Sequence, residues 1–359
     1  MQTDHIQNIK NNFLDNMNKN ICICGGGNLG QVIAGYIAAK KDVKVNVLTR
    51  KPDQWEKEII VRLPDEVTMK GKLNLVTNNA QEALSNMGIV LFCLPGTANR
   101  EELLKIKPYI TEDTLVGNVF CSTGFFFEAF EILGEKQPLW GFQRVPFTAR
   151  LIEYGVEAEL KSFKPQYFIA VENTPKKEEF RAVIEELFDR PTTLLTNYYE
   201  ATFTNSNPLF HTARLYQMFK DWEPGMFYPH SIGFHDDWDD ATSETYIKMD
   251  EDLQRLLDVL PVKKGYLPTV LDYYESKDAT NLTRKIKSIY ANKGYGTPML
   301  ETEEGWIPQI SSRYFQEEFC LSLKFVYQKA HELDVNIPTI DTVFEWGIKM
   351  LEFGKQEKR

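Results

Sequence analysis

Short, nearly continuous apolar runs separated by polar turns fill the first half of the chain. Residues 21–24, 43–48, 73–76, 89–94 and 115–120 read as strands, several apolar throughout as strands buried on both faces are. Between them, stretches such as 80–84 and 100–106 carry apolar positions at helical spacing. Strand alternating with helix predicts an α/β fold, a Rossmann-type doubly wound parallel sheet. Further strands at 142–145, 156–160 and 167–171, then a helix over 176–188, complete this half.

Beyond about residue 198 the period changes to 3.6. Helices are predicted over 209–219, 243–259, 279–291, 314–333 and 340–353, punctuated by Pro224, Pro229, Pro261, Pro298 and Pro338. The pattern divides the chain into residues 1–195, a Rossmann-type domain, and 196–359, an all-helical C-terminal domain. Ile6, Ile9, Phe13, Leu14 and Met17 predict a helical leader within residues 1–19. Met17 is an alternative start.

The turn after the first strand carries the strongest motif. Gly25-Gly26-Gly27-Asn28-Leu29-Gly30 follows residues 21–24 directly and opens a helix marked by Leu29, Val32, Ile33, Tyr36 and Ile37. Gly-x-Gly-x-x-Gly in that setting predicts a dinucleotide site. Gly25 permits the turn, Gly27 lets backbone approach a pyrophosphate, and Gly30 lets the helix pack on the strand. The helix start, Asn28 and Leu29, offers free N–H groups to the anion.

Sites that prefer NAD usually carry an acid about 20 positions past the glycines, on the ribose 2′-hydroxyl. Here the second strand ends Leu48-Thr49-Arg50-Lys51. Thr49 and Arg50 are cofactor candidates, and Arg50 with Lys51 suits a 2′-phosphate. NADP(H) is favoured; Asp53, close by, leaves NAD(H) open. Pro95, Gly96 and Ser122 end two further strands on the ligand-binding edge of such sheets, which makes them candidates for the nicotinamide half. Ordinary connecting turns are the other reading.

Composition narrows the picture. At 359 residues the chain is long enough for two cores. A net charge of −10 argues against nucleic-acid or anionic-membrane partners. The longest apolar run, 89–94, is too short to span a bilayer. Four of the five cysteines lie in apolar runs and read as small buried hydrophobes, as expected of a reduced cytoplasmic protein. No signal-peptide pattern opens the sequence. His230 and His235 with Asp236, Asp237, Asp239 and Asp240 match no tight coordination spacing, so a solvated acidic loop is expected and no metal site. Trp306, Tyr314 and Phe315 read as core, with a pocket wall as the alternative.

In the second half, Asn205-Ser206-Asn207-Pro208-Leu209-Phe210-His211-Thr212-Ala213-Arg214-Leu215 stands out. Histidine gives and takes protons near neutral pH. Asn207 would cap the helix or touch a substrate carbonyl. On its own, His211 reads as structural.

The constellation resembles the octopine/nopaline (opine) dehydrogenase family. It comprises the glycine turn, the helical second domain and Asn-x-x-x-His at the junction. Val145-Pro146-Phe147-Thr148-Ala149-Arg150 is similar to that family's Leu-Pro-Tyr-Ala-Cys-Arg segment. Phe227-Tyr228 followed by Met249-Asp250-Glu251-Asp252 is similar to its Phe-Tyr and Leu-Asp-x-Glu stretches. Ser312-Arg313-Tyr314-Phe315-Gln316-Glu317-Glu318 resembles its Arg-Tyr-x-x-Glu-Asp segment. The resemblance runs through nearly the whole chain in order.

It implies His211 as general acid/base and Glu318 in place of the aspartate that orients the histidine. Arg150 and Arg313 become candidates for a substrate carboxylate, which should require a buried guanidinium. Two departures are visible. Glu318 is one methylene longer than aspartate, and the family's Glu-Thr before the Pro146 segment is Gly141-Phe142 here. The implied reaction is the reductive condensation of a 2-oxo acid with an amino acid, or the reverse oxidation. Both partners are small molecules, and a homodimer is left open. Two alternatives stand beside it. One is a plain 2-oxo acid reductase of the ketopantoate reductase type, with Lys161 or Lys164 as base. The other is a non-catalytic NADP(H)-binding regulatory protein.

Overall fold

The computed structural model describes residues 17–290 and 296–356. The expected leader helix falls mainly on residues 1–16, outside this range, and residues 17–20 carry no helix. The chain divides into two compact units, Met1–Thr202 and Phe203–Arg359. The break lies past the expected residue 195 because the short helix Tyr198–Thr202 is fastened to the first unit. The Tyr198 amide donates to Glu172 Oε1 (2.7 Å), and Gln143 Nε2 donates to the Glu200 carbonyl (2.8 Å).

Along the first unit run β1 (Ile21–Cys24), β2 (Val45–Leu48), β3 (Glu58–Arg62), β4 (Thr68–Lys72), β5 (Leu75–Thr77) and β6 (Ile89–Phe92). They are followed by β7 (Leu115–Asn118), β8 (Leu139–Phe142), β9 (Phe147–Glu153), β10 (Glu157–Phe163), β11 (Tyr167–Glu172) and β12 (Thr192–Leu194). The main sheet has the order β12-β11-β8-β7-β6-β1-β2-β5. It is parallel from β5 through β8, and only the β11–β8 pairing is antiparallel. β1, β2, β6, β7 and β8 are buried at every position, which is why their sequences carry no alternation.

A second sheet, in the order β4-β3-β10-β9, takes in the strand expected at 156–160 and stands apart from the doubly wound sheet. Nothing in the pattern marks β3 and β4 beforehand. In β3, buried Ile59 and Val61 alternate with exposed Glu58 and Arg62 over only five residues, too short a run to declare itself. The first helix, α1 (Asn28–Ala38), lies between the two sheets, and residues 30–37 are all buried. It approaches the second sheet tightly at two glycines: a Cβ on Gly71 would stand 2.0 Å from the Gly35 carbonyl oxygen. On the other face of the main sheet, helices Ala80–Leu84, Asn99–Ile106 and Phe125–Leu133 bury Leu84, Leu103, Ile106, Phe125 and Phe126.

Among the described residues, the second unit is helical apart from one hairpin, β13 (Met299–Thr302) and β14 (Gly305–Pro308), where the sequence shows only a gap between helices. Helix α2 (Asn207–Phe219) packs on α3 (Asp240–Val259), and α4 (Pro338–Gln356) packs against both. The stretch expected as one helix over 314–333 is broken into Arg313–Glu317, a π-helical turn at Glu318–Ser322, and Leu323–Glu332. No helix among the described residues is long and apolar enough to cross a membrane.

Candidate active site

In the first unit the glycine turn is a cradle. A Cβ on Gly30 would stand 1.9 Å from the Gly25 carbonyl oxygen, so α1 can start here only without a side chain. Gly25, at φ +110°, lies against the end of β6, where a Cβ would meet the Cys93 carbonyl oxygen at 2.8 Å. Gly27 is different. Its Cα faces open space, with nothing within 4 Å of a built Cβ. No side chain caps α1, and no acid lies in its first turn. The first-turn N–H groups of Asn28, Leu29 and Gly30 therefore border an open space, and the donor set fits a pyrophosphate.

Asn28 has a second task. Its Oδ1 accepts from the Leu151 amide (2.7 Å), fixing β9 to the start of α1. Gln31, fully buried, accepts from the Gly155 amide (2.7 Å) and donates to the Glu153 carbonyl (2.9 Å). The second sheet is thus bolted to the glycine turn. Leu29 packs against the core between the sheets.

At the tip of β2, Thr49 is buried, and its Oγ1 is 3.0 Å from the Tyr154 hydroxyl. Arg50 and Lys51 are exposed, and neither side chain has a partner among the described residues. Pro95, exposed, and Gly96, buried, follow β6, and Ser122 follows β7. All three lie at the C-terminal ends of parallel strands. Ser122 is 1% exposed, and its hydroxyl has no partner among the described residues. A buried orphan hydroxyl is a group that a ligand can satisfy.

In the second unit, His211 stands on α2 and Glu318 opens the π-helical turn. His211 Nδ1 and Glu318 Oε1 are 2.7 Å apart, with the carboxylate side chain 8% exposed and the imidazole 19%. The longer acid reaches the ring from a wider turn, of the kind that recurs at functional sites. The Tyr314 ring meets the imidazole edge to face at 4.9 Å, and Phe234 does so at 5.7 Å. Tyr314 is therefore a wall of the histidine site, whereas Phe315 beside it is core.

Other candidates are placed differently from expectation. Neither arginine is buried. Arg313 is exposed and gripped by Glu317, with Nε–Oε1 at 2.8 Å and Nη2–Oε2 at 2.9 Å. Arg150, on the exposed face of β9, donates its guanidinium only to the neighbouring Ala149 carbonyl (3.0 Å) among the described residues. Asn207 does not cap α2; Ser206 holds that position and Asn207 is the exposed first residue of the helix. At Gly141 a Cβ would stand 2.1 Å from Cys121 Sγ, and Phe142 is buried among Trp140, Tyr167 and Phe188. No side chain at 141 or 142 can meet a substrate.

The acidic segment is also more than a solvated loop. Asp239 caps α3 by accepting from the Thr242 amide (2.9 Å), and Asp237 accepts from the Gly233 amide (2.7 Å). Arg214, buried, donates to the Phe234 and Gly233 carbonyls at 2.9 and 2.8 Å. Burial pushes its guanidinium down to about 10, with Asp239 and Asp237 opposing, so it remains charged at neutral pH. Among the described residues no cluster could hold a metal ion. Sequence reasoning missed Phe234 beside His211, and it missed Trp55 and Tyr154 beside the glycine turn. These come from loops whose aromatic residues carry no periodic signal.

Two family models match the chain. Residues 194–351 match the NAD/NADP octopine/nopaline dehydrogenase alpha-helical domain, and residues 21–119 match ketopantoate reductase PanE/ApbA. The opine dehydrogenase of Haliotis discus hannai is 26% identical over 94% of this chain and 90% of its own length. An octopine dehydrogenase solved with NADH and L-arginine superposes with a TM-score of 0.81 at 21% identity, over 93% of this chain and 89% of that one. Yersinopine dehydrogenase with NADP+ bound gives 0.69 at 13% identity, over 93% and 91%.

Proposed function

We infer the activity from one premise: the chain belongs to the octopine/nopaline (opine) dehydrogenase family. It is an NAD(P)-dependent oxidoreductase acting on CH–NH groups. The finer reading is ours. A 2-oxo acid and an amino acid lose water to form an imine, whose carbon–nitrogen bond is then reduced to a secondary amine. When bound, the reduced nicotinamide supplies the hydride to the imine carbon.

The chain's own residues manage position and proton. Gly27 and the first-turn N–H groups of α1 would hold the pyrophosphate. Arg50 and Lys51, exposed and unpaired among the described residues, support NADPH over NADH. Glu318 accepts a hydrogen bond from the Nδ1–H of His211, which fixes the tautomer and leaves Nε2 to exchange a proton with substrate. The observation that carries this reading is the 2.7 Å contact between two side chains far apart in sequence. Arg150, whose guanidinium meets no carboxylate among the described residues, is our first choice for a substrate carboxylate.

The plain reductase reading needs a lysine base. Lys161 is exposed and lies 3.5 Å from Glu159, and Lys164 is exposed, so neither supports it. A panel assay following NADPH absorbance decides between the two. Oxidation with a small 2-oxo acid such as pyruvate should require an added amino acid. Arg150→Ala should raise KM for one acid while leaving the cofactor Kd unchanged. Robust turnover without any amine would move the protein to the plain reductase class.

A further inference from the structure

The second sheet carries more than packing to the nucleotide turn. Its β9–β10 turn presents Tyr154, and the segment entering β3 presents Trp55. The two rings meet edge to face, 5.8 Å apart. Both converge on the middle glycine of the turn. A Cβ on Gly26 would stand 2.8 Å from Trp55 Cζ2, 2.9 Å from the Tyr154 hydroxyl and 3.1 Å from Thr49 Oγ1. This corner is fixed from both sides. The Glu56 amide donates to the Gly155 carbonyl (2.9 Å), and Gly155, at φ +75°, lies so close to Gln54 that no Cβ would fit. Gln31 holds Gly155 from the side of α1.

The chemistry of the corner is one-sided. Trp55 Nε1 is buried without an acceptor among the described residues. The Thr49–Tyr154 hydroxyl pair uses one of its two hydrogens on itself, which leaves one to donate. Arg50 and Lys51 add two exposed cations in the residues that follow Thr49. The nearest acids in sequence, Asp53 and Glu56, are exposed, and neither bonds to this cluster. A corner with an unpaired N–H, a spare hydroxyl hydrogen, two neighbouring cations and no carboxylate bonded to it suits an anion.

We propose that Trp55, with the Thr49–Tyr154 hydroxyl pair, forms the wall that reads the 2′-phosphate on the cofactor's adenosine ribose, Trp55 donating its indole N–H. The proposal rests on the NADPH reading above and adds the residues that would enforce it. Binding is measured without substrate, by calorimetry with NADPH, NADH and the fragments 2′,5′-ADP and 5′-ADP. Wild type should bind NADPH and 2′,5′-ADP more tightly than NADH and 5′-ADP. Trp55→Phe keeps a ring against Tyr154 and removes the donor together with part of the indole's surface, a loss of packing that both cofactors would feel alike. Beyond that shared loss, it should weaken NADPH and 2′,5′-ADP by about tenfold or more, the loss of one hydrogen bond to a charged group, and leave NADH nearly unchanged. Tyr154→Phe, which disturbs the hydroxyl pair alone, should act in the same direction.

Equal losses for both cofactors, no loss for either, or a wild type that prefers NADH would overturn the wall. Failure of the family reaction looks different. Amine-independent turnover with the 2′-phosphate preference intact would sink the condensation and spare the wall.

Discussion

The glycine turn at residues 25–30 and the His211–Glu318 pair are assembled in opposite ways. The turn depends on missing atoms: Gly25 and Gly30 touch because neither has a side chain, and Gly27 leaves a space that a ligand can fill. The pair depends on added ones, a buried carboxylate carried to an imidazole by a helix from a distant part of the chain. A site built from absence is local and tolerates almost no substitution. A site built from contact is long-range, and its geometry can be tuned one group at a time.

The largest effect should come from the contact. His211→Ala should lower turnover by about 10²–10⁴-fold with cofactor affinity unchanged. Glu318→Gln, which keeps the shape and removes the charged acceptor, should cost roughly 10–100-fold, as loss of a group that orients a histidine does. Steady-state kinetics on folded variants measure both, and near-normal turnover in His211→Ala would remove that residue from the mechanism.

Next come the glycines, where position decides which property fails. Gly30→Ala forces a methyl into the Gly25 carbonyl and should destabilise the first unit by about 3 kcal/mol, the upper end of overpacking costs. Gly27→Ala meets no atom and sits at φ −77°, so denaturant melts should match wild type to within about 1 kcal/mol. Its cofactor affinity should nevertheless fall, because the methyl enters the cradle. A Gly27→Ala protein that binds NADPH normally would show that the open space is not the pyrophosphate site.

The smallest effect is the most selective. Arg50→Ala should weaken NADPH by about tenfold and NADH little, since one exposed charge-assisted contact is at stake. Titrating both cofactors against variant and wild type checks it; parallel losses would refute a 2′-phosphate role.

The same contrast explains what could be read from sequence. Gly25, Gly27 and Gly30 fall within six residues of one another, between a buried strand and a helix, so their meaning lies in adjacent letters. The fully buried strands announce themselves by continuous apolar runs. β3 and β4 do not, since one face of each is solvated and the runs are short. Glu318 came into view only through family resemblance, because no spacing links a residue on α2 to one in a later helix. Arg313 illustrates a different gap. An arginine in a protein of net charge −10 suggests an anion site, but Glu317, four residues on, is the neighbour that a helix supplies, and it takes the guanidinium.

The second sheet joins its two hairpins by pairing β3 with β10 in parallel, Ile60 opposite Glu157 and Arg62 opposite Glu159. Four strands of the main sheet, β5 to β8, lie between those partners in the chain. Closing so long a loop carries an entropy that the six-residue turn never faces. During synthesis the order is stricter still. A chain leaving the ribosome from its N-terminus presents the glycine turn, β1 and α1 while Tyr154, Gly155 and β10 have yet to be made. Trp55 waits for its partner ring through the making of about half of the first unit. The cradle comes early, and its wall arrives with the last strands.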